Sequence, residues 1–158
     1  MSNSQENQVF INVIKLLESW GEEYEIIEYE PVWTCELMAR YCNCKESEIL
    51  KSVVLEDSSH RLWVYVLPGD HKVESRLLRK RLGVKNISFA NKERAEEMCG
   101  CDIGCIPPFG HAASLPVMVH EQVFNHEYGF LSPGLHDKSV RIRTDALRRI
   151  ERVKIIQP

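Results

Sequence analysis

A glycine- and proline-rich loop from Gly104 to His111, with the sequence GCIPPFGH, has the clearest chemical potential in this chain. Proline lacks a backbone donor and pushes the preceding residue out of the helical region, so the Pro-Pro pair makes the loop rigid. Gly104 and Gly110 permit close backbone approach or a positive φ. We therefore expect the amides of Cys105 and Ile106 to be free to hold a substrate oxygen, as in an oxyanion site. The alternative is an ordinary turn between two strands.

A lysine at the head of a predicted strand is the second candidate. Lys51 precedes Ser52 and the apolar run from Val53 to Leu55, which predicts a buried strand. A lysine in this position lays its stem beside the core, and its ammonium can hold a phosphate or a developing oxyanion at a pocket mouth. The alternative is a surface lysine whose stem covers apolar neighbours.

The remaining reactive side chains follow no established catalytic spacing. The sequence contains no G-x-S-x-G, H-E-x-x-H or P-loop motif, and no spacing marks one of its six histidines as a base. His111 ends the loop and His136 lies further along the chain; we interpret both as loop histidines rather than general bases. Cys105 lies in the loop, but no neighbouring histidine or lysine predicts an activated thiol.

Six cysteines raise the question of a disulfide or metal site. Cys35 stands alone, and the others form a C-x-C pair and a C-x-C-x3-C group. Neither group has the paired C-x2-C spacing of structural zinc, and a disulfide framework would need a secreted context. We expect free thiols and no metal or other cofactor. A metal or redox site at Cys99, Cys101 and Cys105 is the weaker alternative.

Length and composition predict one globular domain spanning residues 1–158, with 44% hydrophobic and 27% charged residues. No apolar run has the length of a membrane span, and the N-terminal residues lack the basic region and apolar core of a signal peptide. The sequence therefore predicts a cytoplasmic protein without a membrane partner.

Charge is distributed unevenly along the chain. Residues 1–36 contain one lysine and eight acidic residues, whereas residues 37–158 contain 19 basic and 15 acidic residues. Basic clusters of this kind can meet phosphates, although they are also found on simple solvated faces. The two clusters are the residues Lys72, Arg76, Arg79, Lys80, Arg81 and Lys85, and the segment from Lys138 to Lys154.

Hydrophobic periodicity and capping residues predict a mixed set of helices and strands. The pattern does not alternate strictly, so we expect a mixed α/β fold. Predicted helices cover residues 5–20, a segment capped by Thr34, residues 73–82, a segment capped by Asn91 and residues 145–151 capped by Thr144. Predicted strands cover residues 24–29, 52–56, 62–67, 86–89, 116–120, 128–132, 139–143 and 153–156.

Several of these segments, taken in order, resemble the YbaK/EbsC family of aminoacyl-tRNA editing domains. They are Lys51-Ser52-Val53-Val54-Leu55, the segments Leu62–Asp70, Leu77–Gly83 and Ala95–Gly100, the Gly104–His111 loop, Leu115-Pro116-Val117 and Ser132-Pro133-Gly134. The family includes free-standing deacylases and the editing domain inserted in bacterial prolyl-tRNA synthetase. The resemblance extends from about Tyr24 to about Ile150 and implies a curved, partly closed mixed sheet surrounded by helices.

The resemblance also implies roles for individual residues. Lys51 matches the family's characteristic lysine, and Gly104 and Pro108 match a G-x-x-x-P loop that faces the terminal adenosine and the ester carbonyl. Lys51 and Gly104 are therefore the expected catalytic residues. Ser139 stands where the family often has an acidic residue, so no aspartate is assigned a role. The implied substrate-binding residues are Tyr29, Ser52, Cys105, Ile106, Pro108, Phe109, Gly110, His111, Ser132 and Gly134.

By the same resemblance, the expected activity is hydrolysis, in trans, of the ester bond of mischarged tRNA. Prolyl tRNA carrying Cys, Ala or a similar small amino acid is the expected substrate, and prolyl-tRNA synthetase is a candidate partner. The family relies on positioning, backbone donors and the substrate's own thiol or ribose hydroxyl rather than on a protein nucleophile. The alternative is a module that binds aminoacyl-tRNA or a nucleotide-like ligand without hydrolysing it.

Overall fold

One mixed sheet organises the chain in a computed structural model that describes residues 3–158, with side chains from residue 8 onward. The helices are α1 (Asn3–Ser19), α2 (Cys35–Cys42), α3 (Ser75–Leu82) and α4 (Lys92–Cys99). The strands are β1 (Tyr24–Glu28), β2 (Ile49–Asp57), β3 (Leu62–Pro68), β4 (Ile87–Phe89), β5 (Val117–His120), β6 (Tyr128–Leu131), β7 (Lys138–Arg143) and β8 (Lys154–Ile156). Short 3-10 turns cover Glu46–Glu48, Ile103–Cys105, Glu121–Asn125 and Thr144–Arg149.

The strands are hydrogen-bonded in the order β1-β7-β6-β2-β3-β5-β8, and β4 adds to β2 beside this path. Strand β2 pairs in parallel with β6, as β3 does with β5 and β5 with β8, whereas the other pairs are antiparallel. The mixed α/β class predicted from the sequence is therefore confirmed.

Strand β2 is paired continuously on one edge and only at its ends on the other. The continuous edge runs against β3. On the opposite edge, β6 pairs with Ile49 and Leu50, and β4 pairs with residues 55–57. Residues 51–53 therefore have no strand partner on this edge within the described part of the chain.

The backbone of Ser52 faces this gap. Neighbouring residues of a strand direct their amides and carbonyls to opposite edges, so residues two apart share an edge. The Val54 carbonyl points to the gap side, where it accepts a hydrogen bond of 3.0 Å from the Ala90 amide. Ser52 is two residues earlier, so its amide and carbonyl also point into the gap.

Three apolar clusters fix the helices on the sheet. Helix α1 packs on one face through Val9, Val13 and Leu17, against a core that includes Leu50 and Val54. Helix α3 covers the opposite face through its buried Leu78, against a core that includes Leu55, Trp63 and Tyr65. Helix α2 joins Ile49 and Phe130 in a third cluster through Met38, Ala39 and Cys42. Among the described residues, none of the helices combines the length and apolarity needed to cross a bilayer.

Two details of the sequence prediction are corrected. Strand β2 begins at Ile49, so Lys51 is its third residue rather than a residue at its head. Both Ile49 and Leu50 are buried and extend the strand. The predicted final helix is a 3-10 turn, and Thr144 does not cap it. Instead, the Thr144 hydroxyl donates to the His126 carbonyl at 2.6 Å.

The turn between β2 and β3 is closed by one buried carboxylate. Asp57 accepts hydrogen bonds from the amides of Ser59 and Arg61, at 2.8 and 3.1 Å, and from the Trp63 indole at 3.0 Å. Burial raises the pKa of this carboxyl, but the three hydrogen bonds outweigh burial and hold the pKa below 3.8. His60, at φ 63°, completes the reversal in the left-handed region.

We expect Asp57→Asn to lower the free energy of unfolding by about 1–3 kcal/mol at neutral pH, because an amide nitrogen cannot accept from the donors now satisfied. A lowered native pKa stabilises the fold above the unfolded value of about 3.9 and loses that effect as pH falls through the native pKa. Urea unfolding from pH 7 to pH 3 therefore measures a difference between wild type and variant that narrows below about pH 4. A difference independent of pH would contradict this role of the carboxylate.

Candidate active site

A cavity of about 200 Å³ opens beside the gap in β2. Its walls come from β2, the start of α2, the loop after α4 and the loop after β6. Five residues predicted from the sequence line it: Lys51, Ser52, Gly104, Ile106 and Ser132. The structure thus brings the lysine, the first part of the glycine loop and the Ser132 segment into one place, although they are far apart in sequence.

The Ser52 side chain is buried in the wall of this cavity, with 8% of its surface exposed. Its hydroxyl has no hydrogen-bond partner, and it is the one buried side-chain polar atom in this condition among the described residues. A buried polar group without a partner costs about 1–3 kcal/mol. Together with the backbone groups that face the gap, this hydroxyl indicates a polar ligand at Ser52.

Lys51 lies on the opposite face of β2 from Ser52, at the edge of the same cavity. Its ammonium donates to the backbone carbonyl of His71. The His71 ring is held in turn by Asp70, at 2.8 Å, and by Gln122. Burial raises the pKa of the Cys35 thiol, and the positive charge of Lys51 acts against that rise. Lys51 therefore places a fixed positive charge close to Cys35 in the cavity wall.

The first part of the glycine loop forms a single 3-10 turn. The Cys105 amide donates to the Asp102 carbonyl at 3.1 Å, so the expectation that this amide is free is wrong. The Gly104 and Ile106 amides make no hydrogen bond with the part of the chain that the structure describes. Both residues line the cavity, and their amides are the available backbone donors of the loop.

His136 braces this turn from the other side. Its ring stacks on Trp33 with 4.9 Å between centroids. Nδ1 lies 3.2 Å from the Val32 carbonyl and Nε2 lies 3.2 Å from Asp102 Oδ2. Both ring nitrogens therefore face acceptors of the chain, and the ring links the turn at Asp102 to the segment of Val32 and Trp33.

The same ring explains why residue 104 is a glycine. A Cβ atom at Gly104 would lie 3.1 Å from His136 Cε1, a tight contact. Gly104 does not have a positive φ. The requirement is therefore for space beside His136 rather than for an unusual backbone conformation.

Trp33 is a site residue that the sequence analysis missed. It lines the cavity and is 66% exposed, and Ile103 beside it is 44% exposed. Large apolar side chains left exposed at a pocket mouth mark binding surfaces. No periodicity identifies a single aromatic residue in a loop, and the only available signal was its position directly before the helix cap Thr34.

The second part of the glycine loop turns away from the cavity. Phe109 is buried and contacts Trp20 edge to face, with 4.9 Å between centroids. The Gly110 carbonyl accepts from Asn12 of α1 at 3.1 Å, and His111 Nε2 bonds the Pro107 carbonyl at 2.7 Å.

These contacts hold the second part of the loop outside the cavity at the gap in β2. Burial lowers the pKa of His111 to about 4, which leaves it neutral at pH 7. Phe109, Gly110 and His111 line a different cavity, of about 690 Å³. Pro108 is buried and lines neither of these two cavities. The structure therefore does not bring these four predicted substrate-binding residues to Lys51.

Three further predicted residues lie behind the cavity wall. The Tyr29 hydroxyl bonds the fully buried Ser139, and burial raises the pKa of Tyr29 to about 12. An acidic side chain in place of Ser139 would be buried against this tyrosine. Cys105 is buried, and its carbonyl accepts from the Gly134 amide at 3.0 Å. Tyr29, Cys105 and Gly134 thus support the walls and the loop from behind.

The cysteines give no support to a metal site. All six are free thiols. No group of three or more histidine, cysteine, aspartate or glutamate side chains among the described residues has an arrangement that could hold a metal ion. A hydrogen bond with Cys105 and burial both raise the pKa of Cys101, which keeps it a neutral thiol.

The family model of the aminoacyl-tRNA editing domain matches residues 29–150. The chain belongs to this family. The matched segment contains β2, the glycine loop and the Ser132 segment, so it includes every wall of the cavity. The predicted family is therefore confirmed, and with it the enzyme class, an aminoacyl-tRNA editing hydrolase.

Individual relatives agree with this membership. The multifunctional Ser/Thr-tRNA deacylase ProXp-y of Escherichia coli K12 is 25% identical over 149 residues, covering 91% of this chain and 89% of the relative. The prolyl-tRNA editing protein ProX of Acetoanaerobium sticklandii is 29% identical over 99 residues, covering 62% and 60%. A crystal structure of a candidate trans-editing enzyme for prolyl-tRNA synthetase shares the fold, with a TM-score of 0.82, 19% identity and coverage of 99% and 97%.

We expect Gly104→Ala to reduce deacylation of aminoacyl-tRNA by roughly tenfold or more, which is about 1.4 kcal/mol in the barrier. The added methyl displaces either the His136 ring or the loop amides, and the melting temperature should change little because residue 104 is exposed and not at positive φ. Gly21→Ala is the matched control, since Gly21 has φ +70° and open space around it. The control should lose stability and keep activity; loss of activity in both variants would argue against the contact with His136.

Alkylation of Cys35 tests the position of the Lys51 ammonium. Because burial raises the Cys35 pKa above 9.0, its reaction with iodoacetamide should be slow at pH 7 and accelerate in alkaline solution. Lys51→Met removes the charge that acts against this rise, so it should slow alkylation further at a fixed pH. Mass spectrometry of the Cys35 peptide gives the rates, with Lys15→Met as the control. Equal rates in wild type and Lys51→Met would place the ammonium away from Cys35.

Proposed function

We propose that this protein hydrolyses, in trans, the ester between a small amino acid and the 3′ end of a mischarged tRNA. Prolyl tRNA carrying Cys, Ala or a similarly small residue is the proposed substrate. The observation that carries the proposal is the cavity at the gap in β2, which is lined by Lys51, by Ser52 with its unpartnered hydroxyl and by Gly104 and Ile106 with their unpaired amides. The family membership and the names of the relatives support the same reaction class.

The size of the cavity favours a small aminoacyl group. At about 200 Å³ it lies below the roughly 300–1,000 Å³ of pockets that hold drug-sized ligands. The aminoacyl group would therefore occupy the cavity while the terminal adenosine remains at the mouth. Trp33, exposed there and backed by the His136 ring, offers a flat surface for stacking a base.

In the proposed reaction, water attacks the carbonyl carbon of the ester. The bond from that carbon to the ribose oxygen breaks, and the departing oxygen takes up the proton that the water loses. The products are the free amino acid and the tRNA with a free ribose hydroxyl. The Gly104 and Ile106 amides would hold the carbonyl oxygen as it gains negative charge. The Lys51 ammonium would stabilise the same charge or the terminal phosphate.

The cavity offers no activated protein nucleophile. Cys35 is the thiol in its wall, and burial raises its pKa, so it is largely protonated at neutral pH. His136 is held between two acceptors. Water is therefore the proposed nucleophile, and the free ribose hydroxyl of the substrate would orient it and relay its proton, so that the reaction depends on positioning.

Ser52 is the proposed determinant of specificity. A site built to hydrogen-bond a substrate group discriminates strongly against an analogue without that group, because its own polar atom is then left unpaired. The buried Ser52 hydroxyl therefore favours an amino acid with a hydroxyl or thiol over alanine. Prolyl-tRNA synthetase remains the proposed partner, as the source of the mischarged tRNA.

The decisive experiment measures release of Cys, Ala, Ser and Thr from tRNA charged with each, using the tRNA for proline first. Lys51→Ala should lower kcat/KM by about 10²–10³, as removal of one oxyanion-stabilising donor does in other enzymes. Ser52→Ala should narrow the preference for hydroxyl or thiol substrates over alanine by roughly tenfold. Lys15→Ala, on the exposed side of α1, is the matched control and should retain full activity.

Unchanged turnover in Lys51→Ala would contradict the proposed role of the lysine. Failure of the wild type to release any amino acid, while it binds a non-hydrolysable aminoacyl-tRNA mimic, would identify a binding module instead.

A further inference from the structure

The two basic clusters of the sequence differ in how their charges are used. Cations of the segment from Lys138 to Arg149 pair with carboxylates, several of them in the acidic N-terminal part of the chain. The pairs are Lys138–Glu28 at 3.4 Å, Arg141–Glu25 at 3.9 Å, Arg143–Asp145 at 3.6 Å, Arg148–Asp145 at 3.3 Å and Arg149–Glu22 at 2.8 Å. Five of the seven cations between Lys138 and Lys154 therefore pair with carboxylates, two of them with the same Asp145.

The cations of α3 are arranged differently. Arg76, Arg79 and Lys80 lie at spacings of three and four residues, which places them on one face of the helix, here called the α3 basic face. None of the three forms a salt bridge with any described residue. Like charges at these spacings repel one another and destabilise a helix. No salt bridge with a described residue offsets this repulsion on the α3 basic face.

Neighbouring charged groups do not compensate the α3 basic face. Arg81, the remaining cation of α3, is left out of this face because its guanidinium donates hydrogen bonds to the carbonyls of Gln157 and Pro158. Glu74 faces Tyr65 and His120 instead: burial raises the pKa of Tyr65 and the Glu74 charge adds to that rise, whereas burial lowers the pKa of His120 and the Glu74 charge acts against it. Asp70 pairs with His71.

Helix α3 packs on the face of β2 that carries Lys51. Lys51, Val53 and Leu55 lie on the same face of β2, because alternate residues of a strand share a face. Leu55 is in the cluster that contains Leu78 of α3, and Val53 both packs against that cluster and lines the cavity. Lys51 also bonds the His71 carbonyl, in the segment that leads into α3. The helix that carries the unpaired cations therefore covers the face of β2 from which Lys51 and Val53 line the cavity.

We propose that the α3 basic face binds the phosphate backbone of the tRNA acceptor stem while the aminoacyl end occupies the cavity. The proposal rests on the proposed function, which places the 3′ end of a tRNA in that cavity. Unpaired exposed cations bind nucleic acid mainly through phosphates, without reading sequence. A membrane surface fits less well, because Leu77, Leu78 and Leu82 of α3 pack into the core and leave no apolar residue to insert.

The test compares two variants that remove the same number of charges. Arg76→Gln/Lys80→Gln removes two cations of the α3 basic face, and Arg143→Gln/Arg148→Gln removes two paired cations, each 52% exposed. Binding of deacylated tRNA is measured by fluorescence anisotropy from 50 to 300 mM salt. The α3 variant should bind roughly tenfold more weakly, with a salt slope smaller by about two, one for each lost phosphate contact. The control variant should bind like wild type.

Two further ligands locate the contact. An acceptor-stem minihelix should show the same loss as the whole tRNA, whereas the CCA trinucleotide should bind both variants equally. Equal losses in both variants, an unaffected minihelix, or an equal loss of binding to phosphatidylserine-containing vesicles would overturn the proposal. These measurements use deacylated RNA, so they test the binding surface even if the protein hydrolyses no ester. A lack of hydrolysis would count against the proposed function alone.

Discussion

The interrupted edge of β2 is the constraint on which the site depends. A strand in the middle of a sheet normally has both edges satisfied by hydrogen bonds. Here β6 leaves β2 after Leu50 and β4 joins only at Leu55, so the backbone around Ser52 is open on one side. The continuous pairing with β3 keeps that segment extended. The protein thereby presents a rigid strand edge to a ligand without exposing an edge of the whole sheet.

The other parts of the site are held relative to that edge. The 3-10 turn at Gly104 is fixed by Asp102, by Gly134 behind it and by the His136 ring beside it. These contacts are made before any ligand arrives, so the loop donors need little reorganisation on binding. Lys51 is fixed in a similar way by the His71 carbonyl.

Local patterns predicted much of this arrangement. Alternation and capping residues gave the strands and most helices, and the order of short motifs gave the family and placed Lys51, Ser52 and Gly104 in one site. Trp33 and the bracing by His136 could not be found, because they depend on contacts between loops far apart in sequence. The predicted final α-helix is only a 3-10 turn, because the Thr144 hydroxyl bonds the His126 carbonyl and does not cap the start of a helix. Phe109, Gly110 and His111 line a different cavity from Lys51, because adjacency in sequence does not fix which way each part of a loop faces.

The glycine loop has one half in the wall of the candidate active site and the other in the hydrophobic core. Phe109 packs against Trp20, and Gly110 is pressed against Val13 and bonded to Asn12, all on or directly after α1. The two prolines between the halves leave little slack. A repacking of the core beneath α1 that shifts this helix is therefore transmitted along the loop to Gly104 in the cavity wall. Core packing and the shape of the cavity are mechanically coupled through these eight residues.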